Sequence, residues 1–257
     1  MLKIENFEVL GWEHAIRGMR NPMNSWEKSD SGYCQRDLLR DCTTCVHKST
    51  DYPVCYSGFD IGPNDYTLMK NLRNAGTDHR KFMRMITVYL DITGPLYWWK
   101  EFDTYRVGVE KNSCSTMHKI HAKAFVREDF SYEHLITNRE LCWNEHMMSG
   151  PECDDSPMDI LDIVIDALNV YREKYLVALK TESETGFSAK DIWWQMIQLL
   201  PTSYNQKRTV MLNYEVLANI YKSRRNHKLD EWHTLCDWIE ELPYSEFITG
   251  KEYEVEE

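Results

Sequence analysis

Two stretches carry side chains that could recognise an anion or a base edge. The first, EFDTYRVGVEKNSCSTMHK over residues 101–119, places Arg106, Asn112, Ser113, Ser115, Thr116 and His118 within thirteen positions. Hydroxyl and amide groups donate hydrogen bonds, and short side chains let backbone N–H groups approach a ligand, so such a loop beside a cation suits phosphate or uracil. The same composition also fits an ordinary polar loop. The second stretch, NYEVLANIYKSRRNHKLDEW over residues 213–232, reads as a helix. At about 100° per residue, Arg224 falls on the side of Leu217, Ile220 and Tyr221. A solvated helix keeps its arginines opposite its apolar stripe. An inward guanidinium therefore serves a ligand, snorkels, or pairs with a buried carboxylate such as Glu215 or Asp230.

A third constellation is Cys34, Cys42, Cys45 and Cys55, with His47 among them. Thiolates two residues apart, as in Cys42-Thr-Thr-Cys45, can occupy two corners of a zinc tetrahedron, and Cys34 and Cys55 could complete it. A single Cys-x2-Cys is a weak signal, and reduced thiols that bind nothing are the competing reading. The segment reads as an insertion, so zinc there would brace a loop and take no part in catalysis. Cys114, Cys142, Cys153 and Cys236 are scattered and receive no role.

The chain of 257 residues has 41 acidic against 30 basic residues, a net charge of −11. That balance excludes non-specific binding to a nucleic-acid polymer, which depends on neutralising phosphates, yet allows one basic pocket for a small anion. Lys222, Arg224, Arg225 and Lys228 are the densest positive cluster, and the acidic tail GKEYEVEE reads as solvated. No run of 18 apolar residues is present, so no membrane span is expected. The opening MLKIENFEVLGWEH lacks the features of a signal peptide, so the expected location is cytoplasmic, with reduced cysteines.

The run DTYRVGVEKNSCSTMHK resembles the signature of the flavin-dependent thymidylate synthases, Arg-His-Arg, a short spacer, then Asn-Glu-x-Ser-x-Arg. Here the run is Thr104-Tyr105-Arg106, a spacer of five residues, then Asn112-Ser113-Cys114-Ser115-Thr116-Met117-His118. Arg106, Asn112 and Ser115 match; Thr104, Tyr105, Ser113 and Met117 replace the first Arg, the His, the Glu and the last Arg. The C-terminal half resembles the family's second block through Leu200-Pro201, Asn213, Asn219 and Arg224, with Trp232 in the next helix. LDITGPLYWWKEFDTYR resembles the lead-in to the signature. The family's Glu-His pair before its strand aligns with Arg84 and Met85, and His79 lies six positions too early. The resemblance covers roughly residues 77–119 and 199–243.

The resemblance implies transfer of a one-carbon unit from methylenetetrahydrofolate to C5 of deoxyuridylate, with FAD as electron carrier and NADPH as reductant. It implies a homotetramer with sites shared between copies. Arg224 would contact the pyrimidine and stabilise charge developing on its ring. Arg106, Asn112, Asn213 and Asn219 would contact the flavin, and Ser113, Ser115, Thr116 and His118 the nucleotide. The replaced signature residues leave two rivals: a relative that modifies another pyrimidine deoxynucleotide, and a catalytically silent nucleotide-binding or assembly protein of the same fold.

These residues need elements to position them. The expected fold is α+β, mainly helical with a small central sheet, flavin-dependent thymidylate synthase-like, in one domain with an insertion at about residues 21–63. Residues 3–10 read as a strand and Trp12 to Met19 as a helix. NDYTLMKNLRNAG reads as a helix with Asn64 as N-cap and Gly76 as its C′ stop. MRMITVYLDI (83–92) reads as a buried strand and Pro95 as the opening of a helix; residues 106–120 read as loop. Further helices are expected at 131–147, 157–183, 188–199 and 228–242, with a strand at 208–213. The pairs Trp98-Trp99 and Trp193-Trp194 read as core or interface.

Overall fold

The structure is a computed structural model that describes residues 2–33, 59–138, 155–181 and 186–251. It forms two compact units. A sheet unit comprises Ile4–Ile92, Thr104–Asn112 and Thr209–Glu257; a helix-pair unit comprises Met1–Lys3, Thr93–Asp103 and Ser113–Arg208.

The sheet has the order β1 (Lys3–Leu10), β4 (Thr87–Pro95), β6 (Asn205–Asn213), β5 (Glu110–Ser113). β4 and β6 take the inner places because their residues alternate. Val88, Leu90 and Ile92, and then Val210 and Leu212, are buried along one face, as the two-residue period of a strand requires. β1 matches the expected range and leads through Gly11 into α1 (Trp12–Arg20). β6 runs directly into α7 (Tyr214–Arg224), followed by α8 (Asp230–Glu240) and the short α9 (Glu246–Thr249). Both α8 and α9 pack on α7. α7 is buried on most sides, with Tyr214, Leu217 and Ile220 fully enclosed.

α2 (Pro63–Asn74) ends at Gly76, whose φ of +107° fits the left-handed stop expected there. Its start differs from expectation: the cap position is Gly62, and Asn64 lies inside the helix. The first N–H groups are satisfied from a distance, with Asn64 and Asp65 donating to the Asp30 carboxylate at 2.9 and 3.1 Å. Asp65 itself is fully buried. It accepts from Arg20 Nε at 2.6 Å, Ser29 Oγ at 2.7 Å, Ser31 Oγ at 2.6 Å, and the amides of Asp30 and Ser31 at 3.1 Å. Beside this hub, β2 (Gly32–Tyr33) pairs antiparallel with β3 (Phe59–Asp60).

The helix-pair unit is built on α5 (Pro157–Ala178) and α6 (Ala189–Leu199), which pack on each other. Each opens with a reciprocal capping box, Ser156 with Asp159 and Ser188 with Asp191, the arrangement that satisfies two otherwise unpaired helix N–H groups. Phe125, Phe130, Leu161, Ile165, Leu168 and Met196 form their core. In α3 (Leu96–Phe102), Trp98, Trp99 and Phe102 are buried. Trp99 donates to the Gln206 carbonyl at 2.9 Å and carries the Arg208 guanidinium 4.2 Å above its ring. Trp98 and Trp99 are therefore core, whereas Trp194 is 39% exposed on α6.

Four expectations need correction. The strand begins at Thr87, because Phe82 and Met83 bury themselves from a 3-10 turn (Arg80–Arg84); a short apolar run does not distinguish the two. Residues 106–120 hold β5 and a single-turn helix, α4 (Thr116–Lys119). Residues 131–138 contain no helix, and the rest of the expected 131–147 helix lies outside the described residues. The last long helix begins at Asp230. No described helix is long and apolar enough to cross a membrane.

Candidate functional site

Arg224 ends α7, half-buried, and two aromatic side chains pack against it. Its Nε donates to the Tyr105 hydroxyl at 3.1 Å. Its guanidinium lies 4.6 Å from the centre of the Trp232 ring and 5.8 Å from that of Tyr105. Trp232, from α8, is fully buried and meets Tyr105 edge-on at 6.0 Å. A cation over an aromatic face gains about 0.5–2 kcal/mol, more as water is excluded. Glu215, one of the two carboxylates considered as a partner for Arg224, pairs instead with Arg80 at 2.9 Å.

Tyr105 stands where the resembling signature has a histidine. The turn it begins is closed by Lys111 Nζ, which donates to the Tyr105 carbonyl at 3.3 Å. Within that turn Arg106 is exposed, and Asn112 is exposed on β5. Asn213 is the N-cap of α7, its Oδ1 accepting from the Val216 amide at 3.0 Å. It therefore precedes the first turn of the helix. Gly108, at φ +71°, passes so close that an added Cβ would lie 2.9 Å from the Asn213 amide nitrogen. Asn219 is exposed on α7 and lines a cleft of about 410 Å³ with Arg73, Arg80, Lys222 and Arg225. The side chains of Arg106, Asn112 and Asn219 bond to no other described residue.

In the helix-pair unit, Ser113 closes β5 and Ser115 caps α4, its Oγ accepting from the His118 amide at 3.0 Å. Thr116 and His118 lie on that single turn, His118 exposed. The segment is held from both sides. The Cys114 amide donates to the Lys207 carbonyl at 2.9 Å, Gln206 Nε2 to the Cys114 carbonyl at 2.8 Å, and Trp193 Nε1 to the Met117 carbonyl at 3.1 Å. A polar segment fixed through its backbone keeps its hydroxyls available to a ligand.

The zinc candidates Cys34, Cys42, Cys45 and Cys55 lie outside the described residues. Among the described residues no group of three or more His, Cys, Asp or Glu side chains could hold a metal ion. Cys236 is buried in α8 and burial pushes its thiol up to about 11, so it is not a thiolate nucleophile.

Sequence reasoning reached Arg224 but not the role of Tyr105 as its hydrogen-bond partner, nor Arg73 and Arg80 on the cleft. Lys222 and Arg225, three residues apart on one helix face, were the visible part of that cluster.

No protein-family model matches the sequence, and no curated protein matches it. Among solved structures, the fold is similar to thymidylate synthase X of Helicobacter pylori with FAD and dUMP, at a TM-score of 0.54 and 16% identity over 96% of this chain and 95% of that one. It is likewise similar to a flavin-dependent thymidylate synthase of Helicobacter pylori complexed with FAD and dUMP, at a TM-score of 0.55 and 17% identity over 96% of each chain. The fold is thus similar to that of thymidylate synthase X.

Proposed function

We propose that this chain is a flavin-dependent thymidylate synthase-like enzyme, a homotetramer that reductively methylates deoxyuridylate at C5 with methylenetetrahydrofolate and NADPH. The observation that carries this reading is Arg224. In a chain with this fold, an arginine at the spacing of the resembling motif is held by Tyr105 and Trp232 and so positioned in advance of a ligand. A preset guanidinium stabilises charge developing on a pyrimidine carbonyl at little reorganisation cost, and its planar fork suits a carbonyl edge.

The donor set fits a flavin nucleotide. Arg106, Asn112 and Asn219 offer a cation and two amides with no protein partner among the described residues, and Asn213 keeps its Nδ2 after capping α7 with Oδ1. When bound, FAD would supply the electron transfer between NADPH and the one-carbon unit, leaving binding and orientation to the protein. Ser113, Ser115, Thr116 and His118 would hold the nucleotide phosphate, contributed in this reading by a neighbouring copy.

The purified protein is expected to be yellow and to oxidise NADPH faster when deoxyuridylate is added. A colourless protein that takes up no FAD on reconstitution would overturn the reading. Ser113 and Met117, where the resembling signature has a Glu and an Arg, favour one alternative: methylation of another pyrimidine deoxynucleotide. Mass spectrometry of the product formed from deoxyuridylate and methylenetetrahydrofolate decides between them.

A further inference from the structure

Gln206 and Arg208 lie two residues apart on β6, so their side chains leave the same face of the strand. Arg208 Nη1 donates to both carboxylate oxygens of Asp103, at 2.9 and 3.1 Å, and its guanidinium lies 4.2 Å above the Trp99 ring. Paired and stacked in this way, Arg208 donates from Nε to Gln206 Oε1 at 3.0 Å. Gln206 is buried, and its Nε2 donates in turn to the Cys114 carbonyl at 2.8 Å. A continuous chain of bonds therefore runs from Asp103 through Arg208 and Gln206 to the backbone of Cys114.

The chemistry at both ends fixes which way the amide faces. A guanidinium N–H only donates and a backbone carbonyl only accepts, so Gln206 turns its oxygen to Arg208 and its nitrogen to Cys114. Glutamate, its closest match in shape, would keep the bond to Arg208 but set an acceptor against the Cys114 carbonyl. The segment beyond Cys114 has little packing of its own: Ser113, Cys114, Ser115, Met117, His118 and Lys119 are all exposed. Its placement rests on hydrogen bonds, and a segment of that kind opens readily once they are lost. Gln206 grips it one residue before Ser115, the cap of α4.

We infer that, given the phosphate-binding role proposed for Ser113, Ser115, Thr116 and His118, Gln206 is the positioning residue of that segment, held in orientation by Arg208. Gln206 touches no ligand in this role; it sets where the hydroxyls stand. Loss of its donor weakens a ligand that carries a phosphate and spares one that lacks it. A residue that only braced the fold would weaken both alike. Arg208 serves through its shape. A lysine keeps the charge beside Asp103 but lacks the planar fork that bonds Gln206 while stacked on Trp99.

Calorimetric titration of the full chain with deoxyuridylate and with deoxyuridine tests the role. Gln206→Glu is expected to weaken deoxyuridylate about tenfold and deoxyuridine less than about twofold, since it turns a buried donor into an acceptor facing a carbonyl. Arg208→Lys should lower the same preference by about threefold. Equal weakening of both ligands, or an unchanged preference, in Gln206→Glu overturns the assignment. Gln206→Met removes the donor without adding a charge and reports in the same titrations if the glutamate variant fails to fold. Hydrogen exchange reads the chain of bonds without a ligand. The Cys114, His118 and Ile120 amides, bonded at 2.9, 3.0 and 3.0 Å, should exchange faster in Gln206→Glu than in wild-type protein. Unaltered exchange overturns the positioning role even where deoxyuridylate binds. Faster exchange in the variant, with wild-type protein binding neither ligand, overturns instead the nucleotide reading and the phosphate role that depends on it.

Discussion

Arg224→Ala is expected to weaken deoxyuridylate binding by on the order of 100-fold while leaving the protein folded. A hydrogen-bonded cation withdrawn from a partly desolvated ligand group costs about 2–3 kcal/mol, and 1.4 kcal/mol is tenfold in affinity. The substitution also removes a stacking contact with Trp232 and a hydrogen bond to Tyr105, each worth about 1 kcal/mol. Arg224→Lys keeps the charge but loses the fork, so it should recover only part of the affinity. Equilibrium dialysis with deoxyuridylate, alongside a thermal melt, separates the two effects. Unchanged affinity in Arg224→Ala would return the residue to a packing role.

A second large effect is expected at Asp65, which makes no proposed ligand contact. Asp65→Ala should destabilise the protein by about 3–5 kcal/mol, the usual cost of leaving one member of a buried ion pair without its partner. Arg20 is only 4% exposed and would keep its charge with one remaining acceptor, the Ser25 carbonyl at 3.2 Å. Two hydroxyls and two amides would also lose their acceptor. The pH dependence has a definite sign. Burial alone would raise the Asp65 carboxyl, but hydrogen bonds from Ser31, Ser29 and Arg20, with the charge of Arg20, hold it below its ordinary value of 3.8. A carboxyl depressed in the folded state contributes stability that is complete above the unfolded value and is lost as pH falls through the folded one. Wild-type protein should therefore lose stability below about pH 4 more steeply than Asp65→Asn, as urea denaturation across pH 2–7 would show. A loss under about 1 kcal/mol in Asp65→Ala would overturn this account of the hub.

The sequence was most legible where one local signal decided the outcome. The alternating run at residues 3–10 became β1 without adjustment, Gly76 stopped α2, and Ser188 opened α6. It misled where a distant group won. Asn64 is an excellent cap residue, but Asp30 reaches the same N–H groups from 34 positions away, and the helix starts earlier. β5 escaped notice because it is short and polar on both faces, with no alternation to detect. The candidate site divides along the same line. Asn213, Asn219 and Arg224 were legible as a spacing on one strand and helix. The Tyr105 hydroxyl that fixes Arg224 lies 119 positions away, and Arg73 and Arg80 come to the cleft from elements preceding β4. Such pairings depend on tertiary placement, which periodicity does not encode.

The hub at Asp65 and the β2–β3 ladder also bear on how the gene can be edited. Gly32 and Tyr33 face Asp60 and Phe59 in register, and Asp65 holds Ser29 to Ser31, so both ends of residues 34–58 are tied to the same few side chains. For ends already held together, doubling a connection adds only about 0.6 kcal/mol of closure entropy. An insertion between Tyr33 and Phe59 is accordingly a probe of this hub, with the melting temperature expected to follow the Asp65 network more than the length of the added segment.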